Sequence, residues 1–204
     1  MRGVRRLFRD ASGASAAEFT LVLPLLILLL FGTIDVGRYA WSLSQAEKAT
    51  QTGARWAVAT DIVASGLYSY SFATSGGVPQ GTTVPQASFP TVTCQSSGGA
   101  ASCSCASSCA FGTAANNTAF TNLTTRMAQI YPGLTANNVV VTYSWSGLGF
   151  SGDPNGADVA PLTTVSLRNL NFAPFSSQIF GGQVALPQFA YTLPMEDGSG
   201  TSSN

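Results

Sequence analysis

The sequence has no histidine and a single lysine, Lys48, and only 9% of its 204 residues are charged. An ordinary soluble domain carries about a quarter of its residues as charges. Without histidine, the chain lacks the commonest general base and metal ligand of proteins. It also contains no Gly-x-Ser-x-Gly turn and no phosphate-binding loop. These absences predict a protein that is not an enzyme and that has neither a cofactor nor a metal.

The few charges are concentrated near the N-terminus, although the formal net charge is zero. After Asp61 the remaining charged residues are Arg126, Asp153, Asp158, Arg168, Glu196 and Asp197. Binding to nucleic acid requires a patch or stripe of Lys and Arg that neutralises phosphates. Two arginines among four acidic residues do not supply such a patch, so no nucleic-acid partner is expected.

An apolar run near the N-terminus predicts a membrane-spanning helix. The 16 residues from Phe19 to Ile34 are uncharged, and at about 1.5 Å per residue they give about 24 Å of helix, slightly less than a hydrocarbon core of about 30 Å. Adding residues 14–17 completes a span but places Glu18 inside it. Arginines at positions 2, 5, 6 and 9 precede the run and predict a cytoplasmic N-terminus, with the body outside the cytoplasm.

The position of the small residues relative to this run is unusual. A conventional secretory signal has its small-residue cleavage site after the apolar run, whereas the stretch Ala11–Ala17 precedes it. A cut in this stretch would remove the arginines and leave the apolar helix at the new N-terminus. The alternative is an uncut signal anchor in which Ala and Ser fill the first turn, and the residues alone leave both open.

The helix is expected to continue beyond the membrane, over residues 14–60, because no proline occurs between Asp35 and Asp61. Small residues recur along it at helical spacing and predict a narrow face for close packing against another helix; they are Ala46, Ala49, Gly53 and Ala57. The alternative is a solvent-exposed, alanine-rich helix. Just past the apolar run, Tyr39 and Trp41 suit the outer membrane interface, and Asp35 and Arg38 are spaced to form an ion pair.

Residues 61–115 form a stretch rich in Ser, Gly and Thr in which neither a helical nor a strand period persists. We interpret it as a long loop with one short strand near 89–93, which requires a tether. Four cysteines suggest disulfides outside the cytoplasm, with three pairings open; they are Cys94, Cys103, Cys105 and Cys109. Their spacing does not match a zinc site.

Residues 116–194 predict an α+β domain. One apolar face predicts a helix over 116–131, and three alternating runs at 139–145, 163–170 and 184–193 predict strands. The fold class is therefore a long membrane-spanning helix followed by a body with one helix packed on a small antiparallel sheet of about three strands. The segment Asp153–Asp158 is expected to be a plain turn rather than a calcium site, and residues 195–204 a disordered tail.

Three features of the N-terminal segment occur in register: the small-residue block before Glu18-Phe19, the core Leu23-Pro24-Leu25-Leu26, and the exit Phe31-Gly-Thr-Ile-Asp-Val-Gly-Arg38. In these features the segment resembles the TadE-like family, the pseudopilins of the Tad (tight adherence, Flp-type) pilus. The resemblance covers about residues 13–57 and says little about residues 62–204.

This resemblance implies a function and a processing site. A prepilin peptidase of the inner membrane is expected to cut residues 1–13 away as a basic cytoplasmic leader, after Gly13, leaving Ala14 as the N-terminus. Glu18 then becomes the fifth residue of the mature chain, where a neighbouring subunit's α-amino group offsets the cost of a carboxylate near the bilayer. The implied protein is a non-enzymatic minor pilin or pseudopilin. Its implied partners are the inner membrane, the peptidase, other pilin subunits and the pilus assembly machinery.

A second hypothesis keeps the chain uncut. It would then be a membrane-anchored periplasmic module that binds glycan or protein through Tyr143, Trp145 and Tyr191. The competing interpretation of these aromatic residues, which we favour, is that they form the core of the sheet.

Overall fold

The computed structural model describes residues 12–96 and 98–201. Its helices are α1 (Ser12–Ala59), α2 (Ser65–Ser69), α3 (Asn117–Ala128) and α4 (Ser177–Phe180). Its strands are β1 (Val92–Ser96), β2 (Ala101–Cys105), β3 (Val139–Ser144), β4 (Leu162–Leu167), β5 (Asn171–Phe172), β6 (Val184–Ala185) and β7 (Phe189–Pro194). Short 3₁₀ turns lie at Gln86–Ser88 and Ala136–Asn138. The α+β class predicted from the sequence is confirmed.

The chain divides into two compact units. The first comprises the chain up to Trp41 together with Asn171–Val184, and the second comprises Ser42–Leu170 and the chain from Ala185 onward. Helix α1 therefore contributes its apolar part to the first unit and its last turns to the second.

Helix α1 runs through the apolar segment although Pro24 lies inside it. Two threonine hydroxyls in this part of the helix are satisfied by the helix itself, since Thr20 donates to the carbonyl of Ala16 at 2.7 Å and Thr33 to that of Leu30 at 2.8 Å. Unpaired polar groups are costly in an apolar environment. These local bonds therefore make the segment compatible with a hydrocarbon surrounding.

The second unit is built on a five-stranded antiparallel sheet with the order β2-β1-β3-β4-β7. Strands β1, β3 and β4 alternate buried and half-buried residues, as strands with one covered face do. Strand β7 lies at an edge, as the proline before it suggests. Helix α3 begins at the predicted cap, where Asn116 accepts from the backbone N–H of Ala119 at 3.1 Å, and buries one face; that face includes Phe120, Leu123 and Met127.

The sheet has five strands rather than about three, because β1 and β2 join it from the stretch that we interpreted as a long loop with one short strand near 89–93. Strand β1 overlaps that short strand, and β2 is not predicted. Their sequences, Val-Thr-Cys-Gln-Ser and Ala-Ser-Cys-Ser-Cys, contain one large apolar residue between them. Apart from Val92, the inward positions hold cysteine, serine and alanine, so small side chains carry most of the alternation that identifies a half-buried strand. A count of large apolar residues cannot detect it.

The segment from residue 195 is also ordered as far as the structure describes it, in contrast to the disordered tail that the sequence suggests. The backbone N–H groups of Glu196 and Asp197 both donate to the carbonyl of Val58 at 3.1 Å. The backbone N–H of Asp61 donates to the carbonyl of Gly200 at 2.8 Å, and the N–H of Gly200 donates to the carboxylate of Asp61 at 2.6 Å. The last carbonyls of a helix have no partner within it, so Glu196 and Asp197 satisfy the carbonyl of Val58 at the end of α1.

The long loop before β1 is ordered by a cluster of aromatic rings and by one carboxylate. The rings meet with centroids 4.9–6.5 Å apart and belong to Tyr70, Phe72, Phe89 and Phe111. Asp158, in the predicted plain turn, is buried. Its carboxylate accepts from the backbone N–H of Phe72 at 2.6 Å and from that of Asp153 at 3.1 Å. The turn is therefore also a tether between distant segments.

Candidate functional site: the N-terminal helix

The apolar part of α1 is exposed along its length. Leu21, Leu25 and Leu29 expose 81%, 73% and 68% of their surface. This is the one helix in the described part of the chain that is long and apolar enough to cross a membrane. An apolar surface this large on an isolated chain requires lipid or protein to cover it. The helix is compatible with a membrane anchor, as the sequence predicts.

The residues of the expected processing site lie at the start of this helix. Gly13 and Ala14 belong to the first turn of α1, and Glu18 lies one turn further with an exposed side chain. The arginines of the expected leader lie outside the described residues. Two glycines further along have open space around them, because a Cβ atom added at Gly32 or Gly37 would meet nothing within 4 Å.

The small residues of the distal part of α1 are buried within the second unit. Ala46 and Ala49 are fully buried, and Ala57 exposes 4% of its surface. A Cβ atom at Gly53 would lie 2.6 Å from the sulfur of Met127 on α3, so the glycine permits that close approach. In the structure this face therefore packs inside its own chain, and the helix that meets it at Gly53 is α3.

A cluster of side chains surrounds α1 where the apolar run ends. Asp35 is buried, and its carboxylate accepts from the backbone N–H groups of Phe175 at 2.6 Å and Ser176 at 3.0 Å. These two N–H groups lie directly before the short helix α4. Asp35 thereby fixes the segment 171–184 on α1 within the first unit.

Cationic and aromatic contacts complete this cluster. Arg38 forms the expected ion pair with Asp35 at 3.5 Å. Its guanidinium lies 5.2 Å from the ring centre of Phe172 and 4.3 Å from that of Phe175, within the range of cation–π attraction. Tyr39 meets Phe172 edge to face at 5.6 Å. The sequence predicts the ion pair but not its aromatic partners, because Phe172 and Phe175 lie 134 and 137 positions from Arg38 along the chain.

The Asp35 contact predicts a measurable local effect. We expect Asp35→Ala to accelerate amide hydrogen exchange at Phe175 and Ser176 by about 10- to 100-fold, since a hydrogen bond to a charged group contributes about 1.5–3 kcal/mol. Exchange is followed by mass spectrometry on the full chain in detergent micelles. The matched control is Asp61→Ala, which removes another carboxylate bonded to a backbone N–H at 2.6 Å. Unchanged exchange at 175–176 in Asp35→Ala would contradict this role.

The cysteines form two disulfides, which the sequence predicts without choosing their pairing. Cys94 is joined to Cys103, directly opposite it in the β1–β2 register, and Cys105 to Cys109. Both bridges are local and restrain the β1–β2 hairpin and the turn that follows it. Within the described residues, no three Cys, Asp or Glu side chains lie close enough together to hold a metal ion.

The aromatic residues of the binding-module hypothesis do not form a common exposed surface. Tyr143 is fully buried, its hydroxyl accepts from the backbone N–H of Val63 at 2.9 Å, and burial raises the pKa of this phenol. The indole N–H of Trp145 donates to the carbonyl of Val84 at 2.8 Å. Tyr191 exposes 36% of its surface. Tyr143 therefore belongs to the core, as the favoured interpretation of the sequence has it.

Comparison with known proteins places the family signal on this helix. Residues 13–55 match the family model described as TadE-like protein. The resemblance noted from the sequence is thereby confirmed for this segment. No protein with a curated description and no solved structure matches the chain.

Proposed function

We propose that this chain, whose residues 13–55 are TadE-like, is a minor pilin or pseudopilin of a tight-adherence pilus. It is a structural or assembly subunit rather than an enzyme, and it packs through its N-terminal helix. The observation that carries the proposal is that the family match coincides with an exposed apolar helix on an otherwise folded chain. Such a surface suits transfer from lipid to the helices of neighbouring subunits.

The proposed topology is a single pass through the bacterial inner membrane. The arginines before residue 10 favour a cytoplasmic N-terminus, so the second unit lies in the periplasm or on an extracellular fibre. Two disulfides in this unit suit an oxidising compartment.

The proposed processing step removes residues 1–13. A prepilin peptidase cuts after Gly13, and Glu18 becomes the fifth residue of a chain that begins at Ala14. The side chain of Glu18 is exposed, so it is accessible to the α-amino group of a neighbouring subunit. A carboxylate inside a span costs about 2.5–3.5 kcal/mol on insertion scales, and pairing with an ammonium group offsets this cost.

We assign the two parts of α1 different roles in assembly. The distal small residues Ala46, Ala49 and Ala57 are buried in the chain's own body, so they attach the helix to that body. The apolar part, with open space at Gly32 and Gly37, is the surface for other pilin subunits and for the assembly machinery.

N-terminal sequencing of the chain from cells with an active peptidase tests the proposal. We expect the mature form to begin at Ala14, and we expect Gly13→Leu to keep the full leader because a side chain is added at the cut site. Gly3→Leu changes another glycine of the same leader and should be processed normally. An intact Met1 in the unmodified chain would contradict the proposal and favour the uncut, membrane-anchored binding module.

A further inference from the structure

A long stretch of the chain without charged residues includes a segment that belongs to the same unit as the apolar part of α1. No charged residue occurs between Arg168 and Glu196. Within this stretch, residues 171–184 belong to the same unit as the apolar part of the helix; we call them the exit segment.

The exit segment is held at the level where the apolar run ends. Asp35 is the first charged residue after Ile34, and it binds the backbone of the segment at two N–H groups. Arg38 and Tyr39 contact its rings from positions about one helical turn further on. The contacted part of the exit segment, residues 172–176, therefore lies within about one turn, roughly 6 Å along the helix, of the end of the expected span.

The exit segment and the adjacent part of α1 each expose apolar side chains. Phe175 exposes 51% of its surface and Val184 exposes 46%, while Val36 and Trp41 on α1 expose 70% and 66%. The exposed ring of Phe175 lies under the guanidinium of Arg38, and the acid next to it, Asp35, is buried and bonded to the backbone of the segment. An exposed aromatic ring beside an arginine is a combination that the headgroup region of a bilayer favours.

We propose that the exit segment is a second membrane contact, which docks in the lipid headgroup region of the leaflet from which α1 emerges. Phe175 inserts at the boundary with the acyl chains, and the guanidinium of Arg38, beside its ring, is positioned for a lipid phosphate. The occupant is lipid because Asp35, which directly follows the apolar run, fixes Phe175 at the depth where the expected span leaves the hydrocarbon. This inference rests on the proposed function in one respect, namely that the apolar run spans the membrane.

Photocrosslinking of the full chain in phospholipid vesicles tests the proposal. Benzoylphenylalanine replaces one residue at a time: Phe175 and Val184 in the exit segment, Leu28 in the apolar run, and Leu148 as the control. Leu148 exposes 53% of its surface and lies in the second unit, so it matches Phe175 in exposure. Adducts are identified by mass as chain–lipid or chain–chain.

We expect chain–lipid adducts at 28, 175 and 184, with yields at 175 and 184 several-fold above that at 148. Lipid adducts at 28 combined with chain–chain adducts at 175 would assign the contact of the exit segment to a second copy and overturn the proposal. Equal lipid yields at 175 and 148, or none at 175 and 184, would overturn it too. Absence of lipid adducts at 28 would show that the span itself is wrong, and this inference would fail with it.

Discussion

Glu18→Ala should abolish entry of the subunit into the pilus while leaving its membrane insertion and its processing intact. Inserting alanine near the bilayer costs less free energy than inserting glutamate, so the cellular amount of membrane-bound chain should not fall. In the proposed assembly, pairing of this carboxylate with the α-amino group of a neighbouring subunit favours incorporation into the fibre. If it offsets about 3 kcal/mol of insertion cost, its loss corresponds to roughly a 100-fold drop in incorporation. The measurement compares the chain in sheared fibres and in membranes by immunoblotting.

Two further variants separate the charge from other effects. Glu18→Gln keeps the size and hydrogen-bonding capacity but removes the charge, so it should resemble Glu18→Ala if pairing with an ammonium group matters. Glu47→Ala removes an exposed acid further along the same helix, one that accepts from Gln51 at 3.3 Å, and should assemble normally. Normal fibre incorporation of Glu18→Ala would refute the pairing and weaken the assignment of the chain to a pilin role.

The parts of the fold that the sequence predicts are those carried by large apolar residues at regular spacing. The apolar run and the absence of proline from 35 to 61 predict α1 as one long helix, which the structure bounds at Ser12–Ala59. The alternation in 139–145 predicts β3 for the same reason. Strand β2 is not predicted, and β1 is predicted only as a short strand near 89–93, because Cys94, Cys103 and Ala101 fill inward positions of the sheet with small side chains.

The long-range polar contacts are not predicted from the sequence, for a different reason. The sequence around Asp35 and Asp158 does not indicate a long-range role for either residue. Asp35 is spaced to pair with Arg38, and Asp158 lies at the end of a turn. What gives each its role is a backbone N–H group far along the chain, 140 positions away for Phe175 and 86 positions away for Phe72. A single sequence holds no signal for a side-chain bond to a backbone group, because any residue type supplies that group.

Asp158→Ala should be the most destabilising single change in the loops of the second unit. It removes both acceptors of a buried carboxylate and leaves the N–H of Phe72, a residue that exposes 1% of its surface, without its partner at 2.6 Å. Charged hydrogen bonds of this kind contribute about 1.5–3 kcal/mol each, and a buried unpaired donor adds its own penalty. We expect a loss of about 3 kcal/mol in the free energy of unfolding. Denaturant titration in detergent, followed by tryptophan fluorescence, measures it.

The contrast with two related variants identifies the cause of this loss. Asp158→Asn keeps one acceptor and turns an NH₂ group toward the other N–H, so its loss should be smaller than that of Asp158→Ala but clearly measurable. Asp153→Ala removes a carboxylate of the same turn whose oxygen accepts only from the exposed backbone N–H of Asn155 at 2.9 Å, and should cost less than about 1 kcal/mol. Equal losses for Asp153→Ala and Asp158→Ala would mean that the conformation of the turn, rather than the hydrogen bonds of Asp158, determines the free energy of unfolding. The tether between Asp158 and the aromatic cluster would then not be what orders the long loop.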